Sequence, residues 1–343
     1  MTYYMGKNSY VAIKKQATAG TAETTASIFV PVTDYPTIKS SPLNTYTKEY
    51  RNNTVEITKV YRKPNLKSEG TLSFPCYGDM LSYALYGVFG SAASAGDAEG
   101  YTHTYTVAET LPIWTVFLGI DDLAVEKYHD MTMKSLTLSL NPGEDMMGSV
   151  EMVGATGDII TSALTPSYTT LRPLTHGDAS VSIRGSADCD VESFSVTIDR
   201  GVQEKRTLCT TGLGAYEPNM VYPTTIMVEG EMTLYFDGYD EYKYFLGTSS
   251  ATSATTDTYV ETDANSAIIL TVTGQEILAG AAATKDLLTL TIHKALWDDV
   301  SIERTWDDRV KQTIAFKGII DATPTPDGPI SCTMVSEVAD VDA

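Results

Sequence analysis

The sequence predicts a mainly β protein made of two tandem copies of one domain, each with one short helix. Three observations predict it. Thr is the most frequent residue and 21 Tyr accompany it, and both types prefer the pleated surface of a sheet. Long amphipathic helical patterns are scarce. A weak but extended repeat also runs through the chain at an offset near 160 residues. A length of 343 residues is comfortable for two domains, since domains cluster near about 100–150 residues.

The repeat places the elements. Glu69-Gly-Thr-Leu-Ser-Phe74 is echoed by Glu229-Gly-Glu-Met-Thr-Leu-Tyr-Phe236. Each copy runs into a short helix, Asp79–Gly87 and then Asp240–Gly247. Both open on Asp, a good N-cap, and stop at Gly. The offset is 160 at Glu69/Glu229 and at Gly87/Gly247. Ser135–Leu140 alternates strictly and reads as a strand. After Asn141-Pro-Gly-Glu-Asp145 the chain returns through Gly148–Gly154. The second copy has Val300–Arg304 and Lys311–Gly318, now offset by 164. A drift of this size suits a change in loop length.

A further strand pair precedes each of these hairpins. Val191–Ile198 puts Phe194, Val196 and Ile198 on one face. The turn signal Asp199-Arg-Gly201 follows, and the chain returns near Thr224–Val228. The intervening Val202–Tyr222 is long for a hairpin loop, where about two to five residues is usual. Leu43–Pro64, between a strand near Thr37 and Glu69, matches it in the first half. A long loop that recurs points to function. The expected domains are therefore 1–165, with an N-terminal arm and the loop 43–64, and 176–321, with the loop 202–222. A C-terminal arm spans 322–343. The junction falls at Thr161–Gly177, where Ser, Thr, Pro and Gly dominate. Ser91–Gly100 and Thr248–Thr258 read as surface loops after each helix. Both ends, Met1–Thr25 and Ala322–Ala343, read as irregular and mobile unless a neighbour orders them.

The net charge is −20, which argues against holding nucleic acid or anionic lipid by an overall field. The charge is uneven. Residues 1–67 carry ten basic and four acidic side chains, a balance of +6, and the remaining 14 basic and 40 acidic groups leave −26. A basic arm on an acidic body suits contact with a neighbouring copy. Met1–Lys15 lacks the apolar run of a signal peptide, and no stretch approaches the roughly 18 apolar residues of a membrane span. Cys76, Cys189, Cys209 and Cys332 match no zinc or redox spacing and read as free thiols.

Catalytic patterns are absent. His103, His129, His176 and His293 have no partner at metal-ligand spacing. His103 alternates with Thr and reads as a solvent-facing strand position. Asp237-Gly-Tyr-Asp-Glu241 lacks the rhythm of a calcium loop and reads as a turn plus helix cap. Asp298-Asp299 and Asp307-Asp308 read as solvated strand ends rather than a carboxylate pair across a cleft. No nucleophile elbow, phosphate loop or dinucleotide fingerprint occurs. No cofactor is expected, and the chain reads as a non-enzyme.

Several runs are similar to those of major tail tube proteins of long-tailed phages. They include Asn8–Lys15 with Ala19-Gly-Thr21, Glu69–Phe74 with the helix Met80–Phe89, and Ser135–Gly154. Gly177–Ile183 and Val191–Asp199 belong with them. The resemblance spans nearly the whole chain and rests on strand patterns rather than catalytic signatures. It implies β-sandwich or barrel-like domains, each with one flanking helix. Such domains assemble as stacked rings around a lumen, with a long loop reaching the adjacent ring. The loops then carry candidate inter-ring contacts: Lys48, Glu49, Arg51, Lys59, Arg62, Lys63, Arg200, Lys205 and Arg206. Candidate acids facing the lumen are Glu144, Asp145, Glu151, Asp307 and Asp308, where negative charge repels phosphates and lets double-stranded DNA slide. Single-domain members form six-membered rings, so a chain with two domains implies trimeric, pseudo-hexameric rings. Tape measure, terminator and tip proteins are the implied partners at the tube ends, and the virion, assembled in the bacterial cytoplasm, is the implied location. A reading from another class is a secreted β-sandwich adhesin or carbohydrate-binding module. A third is the related tube protein of a contractile injection system.

Overall fold

The computed structural model describes residues 8–40, 45–51, 54–61, 67–97, 99–121, 125–155, 157–160, 162–188, 190–205, 220–248, 250–254, 266–277, 284–304, 306, 309–320 and 328–342, with only the backbone at 40, 45–51, 54–61, 158–160, 187–188 and 220. The first half contributes β1 (Ser9–Lys15), β2 (Ile28–Val30), β3 (Lys39–Ser40), β4 (Thr45–Arg51), β5 (Thr54–Tyr61) and β6 (Ser68–Pro75). Then follow α1 (Gly78–Phe89), β7 (Gly90–Asp97), β8 (Gly100–Val107), β9 (Ile113–Ile120), β10 (Val125–Leu140), β11 (Met147–Gly154) and β12 (Gly157–Ile160). The second half holds β13 (Ala179–Ile183), β14 (Ser186–Asp188), β15 (Val191–Asp199), β16 (Gln203–Lys205), β17 (Met220–Tyr222) and β18 (Met227–Tyr235). It ends with α2 (Asp240–Phe245), β19 (Ile268–Glu276), β20 (Lys285–Ile292), β21 (Lys294–Glu303), β22 (Lys311–Ile319) and β23 (Ile330–Ser336).

The described protein is mainly β and its paired strands are antiparallel. In a 12-stranded sheet, eight strands form one continuous ladder in the order β3-β6-β11-β10-β15-β18-β22-β21. The N-terminal part of β10 also pairs with β9 and β12, and β9 leads on to β1 and β2. A second sheet of seven strands runs β14-β13-β19-β20-β23-β8-β7. The halves thus join twice, through β10·β15 in one sheet and β23·β8 in the other.

Registers recur between the halves at the offsets read from the sequence. Glu69 opposes Val153 in β6·β11, and Glu229 opposes Lys317 in β18·β22. Leu136 opposes Val150, and Val300 opposes Ile314. Even the bulge recurs, between Met133 and Ser135 and again between Trp297 and Asp299. The repeated Glu-Gly pair has a steric cause. A Cβ on Gly70 would stand 3.2 Å from the Thr37 carbonyl oxygen, and one on Gly230 2.4 Å from that of Ser195. Glycine lets the adjoining strand approach at both places.

Alternation sorts the ladder into two faces. Leu72, Phe74, Leu136, Leu138, Leu140, Phe194, Val196, Ile198, Met232, Ile314 and Phe316 are buried in a core shared with the second sheet. Helix α1 lies within that core rather than on its flank, and every residue of it except Asp79 is buried. It runs past the predicted stop at Gly87, which sits inside because a Cβ there would meet Met133 Sδ at 2.1 Å. Gly90 ends it instead, at φ 93°, donating its N–H to the Tyr86 carbonyl in the left-handed conformation glycine tolerates. Tyr77 rather than Asp79 is the N-cap. Helix α2 has no buried residue. Glu241 ties it to Arg184 (Nη1 to Oε2, 2.6 Å) and to Trp297 on β21 (Nε1 to Oε2, 3.0 Å).

Three further expectations need correction. Among the described residues the chain ends are not wholly irregular, since β1 and β23 are internal strands. Asp130 accepts from Gly20 N at 2.8 Å, while Asp342 binds Lys15 and Tyr86, which anchors both ends. His103 is buried, because β23 and β7 flank its strand, and its Nδ1 meets Ser94 Oγ at 2.8 Å. Burial lowers its pKa. The segment at the expected junction is pinned to the first half. Met146 N donates to Leu174 O, Leu174 N donates to Cys76 O, and Leu174 is buried. Finally, Arg200 is 3% exposed and is not a surface contact of the free chain. Its guanidinium donates to the carbonyls of Val88 (3.0 Å), Phe89 (3.1 Å) and Ala108 (2.6 Å). It thereby satisfies acceptors that the end of α1 leaves open.

Cys76 and Cys332 are buried free thiols whose pKa is pushed well up by burial. Asp286 is 1% exposed, and neither carboxyl oxygen has a hydrogen-bond partner among the described residues. It lies against the start of α1, where a Cβ on Gly78 would meet its Oδ1 at 2.7 Å. Burial, with Glu337 and Asp79 nearby, pushes Asp286 up to about 7, and burial pushes Asp79 up to about 6.

Two outcomes follow from these buried groups. Arg200→Ala, measured by denaturant unfolding, should cost about 3 kcal/mol or more, because three buried carbonyls lose a charged donor. Arg200→Lys, lacking the planar fork, should recover only part of that. Asp286 retains its proton in the folded state up to about pH 7, whereas an unfolded carboxyl loses it near pH 4. Stability should therefore fall as pH rises across that window. Asp286→Asn should flatten the slope, raising stability by about 2–4 kcal/mol at pH 8 with little gain at pH 4.

Candidate assembly surfaces

The polar face of the eight-stranded ladder is a broad, regular surface of the described residues. One row crosses it through Ser73, Ser149, Thr137, Thr197, Glu229 and Lys317. Hydroxyls meet along it, with Ser73 Oγ 3.4 Å from Ser149 Oγ and Thr137 Oγ1 2.9 Å from Thr197 Oγ1. Acids dominate the charge: Glu69, Glu151, Asp199, Glu229, Glu231, Asp299 and Glu303, against Lys39, Lys134, Lys311 and Lys317. Lys134 pairs with Glu151 at 2.8 Å, and Lys317 pairs with Asp298 at 3.0 Å.

Of the acids the sequence singled out for such a face, Glu151 stands on it. Glu144 and Asp145 sit instead in the β10–β11 turn at the end of the ladder. There Asp145 bridges Thr175, and Glu144 O accepts from His176 N. Asp307 and Asp308 lie outside the described residues.

The two recurring long loops each contain a two-stranded antiparallel sheet separate from the large ones, β4·β5 and β16·β17. The alternating, Thr-, Tyr- and Val-rich runs Thr45–Arg51 and Thr54–Tyr61 explain the first. The backbone places Lys48 opposite Thr58, Glu49 opposite Ile57, Lys59 opposite Thr47 and Arg51 opposite Thr54. Lys205 is exposed and opposes Met220. Arg62, Lys63 and Arg206 lie outside the described residues.

The ladder has two ends, β3 and β21. Among the described residues neither strand pairs with another strand on its outer side; apart from Ala295 N, which donates to Ser266 O at 3.0 Å near the start of β21, this leaves backbone donors and acceptors available for another strand. Sequence reasoning located β21 but not its status as an edge, because alternation does not reveal which strand is last.

No group of three or more His, Cys, Asp or Glu side chains among the described residues is placed to hold a metal ion. No described helix is long and apolar enough to cross a membrane. Asp286 is buried at the start of α1, and Asp79 on the first turn of that helix is partly exposed. A comparison with curated proteins finds no match. The family model described as phage tail tube protein matches residues 6–318. That span runs from just before β1 to the last residues of β22 and takes in the whole ladder, both long loops and α1. The chain belongs to the phage tail tube protein family.

Proposed function

We propose that the chain is the ring-forming unit of a hollow phage tail tube through which DNA passes during ejection. The continuous eight-stranded ladder with a polar, acidic face and two open edges carries this reading. The chain holds two copies of one tube domain, and three chains close a pseudo-sixfold ring. Closure leaves no strand edge exposed. Eight ladder strands from each of three chains, spaced about 4.8 Å apart, make a wall roughly 115 Å round. The barrel is then roughly 37 Å across before strand tilt widens it, enough to clear a B-form duplex. The acidic face lines the lumen, where it repels phosphates and keeps the duplex from sticking. Having two domains on one chain raises their effective concentration and favours closure. The partners are other copies of the chain along the tube and the tape measure, terminator and tip proteins at its ends. The chain is made in the host cytoplasm and ends in the virion.

The hairpins β4·β5 and β16·β17 reach the adjacent ring, bringing Lys48, Glu49, Arg51, Lys59, Arg62, Lys63, Lys205 and Arg206 against the acidic body of the next copy. Arg200 serves them from below, by holding the base of the second loop.

Negative-stain microscopy of concentrated protein should show hollow tubes with threefold, pseudo-sixfold ring symmetry. Six chains per ring would overturn the trimer, and persistent monomers would overturn the tube. Hydrogen exchange should show both loops gaining protection on assembly. Equal protection in monomer and tube would remove them from the inter-ring contact. Reversing Lys48, Arg51, Lys59 and Arg62 together should slow assembly, most at low salt.

A further inference from the structure

We infer that the chain carries a charge-matched clasp at the two ends of its ladder, by which β21 of one copy takes β3 of the next in one register. This rests on the ring reading above and goes beyond it by naming the strands, the register and the side chains that make the joint.

The internal joint β10·β15 supplies the template. There Thr137 opposes Thr197 and Leu138 opposes Val196. Both strands have counterparts at the ends of the ladder. β10 pairs with β11 as β21 pairs with β22, since Leu136↔Val150 and Val300↔Ile314 share an offset of 164. β15 pairs with β18 as β3 pairs with β6, since Thr197↔Glu229 corresponds to Lys39↔Glu69. Carried over, the β10·β15 register sets Ser301 opposite Lys39 and Ile302 opposite Ile38 of the next copy.

Three features of the edges fit that register. The first is apolar. Leu138 and Val196 are buried in the internal joint, whereas Ile38 and Ile302 are only partly covered, as expected of two halves of a contact that a second copy completes. The second is charge. In the internal joint the Thr137–Thr197 hydroxyl pair, at 2.9 Å, is flanked along β10 by Ser135 and Ser139. The corresponding flankers on β21 are Asp299 and Glu303, so Lys39 would stand between two carboxylates at the diagonal positions a long side chain reaches. Lys39, Asp299 and Glu303 are all exposed, and none has an ion-pair partner among the described residues. The third is support. Trp297, at the inner end of β21, is fixed by Glu241 of α2, which keeps the strand in place before a partner arrives.

The same charges exclude the wrong assembly. Two β21 edges pairing with each other would bring Asp299 and Glu303 of both copies together, and two β3 edges would oppose their lysines. Only the head-to-tail contact is attractive, and head-to-tail contacts are those that close rings. The internal joint needs no such selection because the chain itself brings its strands together, which accounts for its neutral hydroxyls.

Charge exchange tests the clasp. Lys39→Glu should cut tube yield at least tenfold at low salt, and so should Asp299→Lys with Glu303→Lys. Combining all three substitutions should restore most of the yield. Unfolding of the monomeric variants checks that none has merely lost its fold. In a second test, Lys39→Cys with Ser301→Cys should give oxidised trimers in assembled tubes. Lys39→Cys with Leu296→Cys, far out of register, should stay at the wild-type background. Normal tubes from Lys39→Glu, or no rescue by the triple variant while the wild type assembles, would overturn the clasp and leave the ring standing. A wild type that forms no rings at all would overturn the ring reading, and the clasp with it.

Discussion

The structure depends on one strand being shared. β10 runs for 16 residues, Val125–Leu140, and serves different neighbours along its length. Its first part pairs with β9 and β12, and its last part with β11 and β15. Asp130, at φ 52°, lies where the pairing with β9 shifts, and the bulge at Met133 and Ser135 marks the second change of course. Bulges bend and twist a strand in this way. The bend lets β10 turn from one sheet of neighbours to the next while α1 packs beneath it. Without it the first half would end in an open edge instead of continuing into β15.

That continuity explains where the buried polar groups sit. Arg200 follows β15, and its guanidinium reaches the end of α1. The strand that joins the halves thus also completes the helix on which both pack. Asp286 plays the opposite part at the other end of the same helix, as an acid whose pKa burial raises to about 7. One helix therefore meets a cation bonded to three carbonyls at one end and a carboxyl without a hydrogen-bond partner among the described residues at the other, and both come from the second half of the chain. The two halves are coupled through α1 as much as through the ladder.

A chain of net charge −20 that assembles with itself works against its own field. Backbone pairing and apolar contact supply the short-range attraction, and local charge asymmetry decides which surfaces meet. The hydroxyl row across the polar face shows how the interior of the ladder avoids this problem, since Ser and Thr pair without charge. Acids concentrate on β18 and at the β21 edge, and the lysines beside them are few.

The sequence by itself determined the β class, the helix at each repeat, the hairpins β10·β11 and β21·β22, and the buried sides of β10 and β15. Each is a local consequence of alternation, turn residues or a capping glycine, and each sits in a short window of chain. The resemblance to tail tube proteins was legible for the same reason, because it too lies in strand patterns. Only the tertiary structure decided the rest. His103 alternates with Thr, yet it is buried because β23 arrives from more than 200 residues away to flank its strand. Arg200 reads as a loop cation, yet it is internal because the end of α1 lies beside it. Gly87 reads as a stop, yet the helix continues because Met133 fills the space a side chain would need. The ends of the chain read as loose, yet each contributes an internal strand, β1 and β23. In every case a partner distant in sequence supplies the deciding contact, and no local pattern can report what a distant segment will bring.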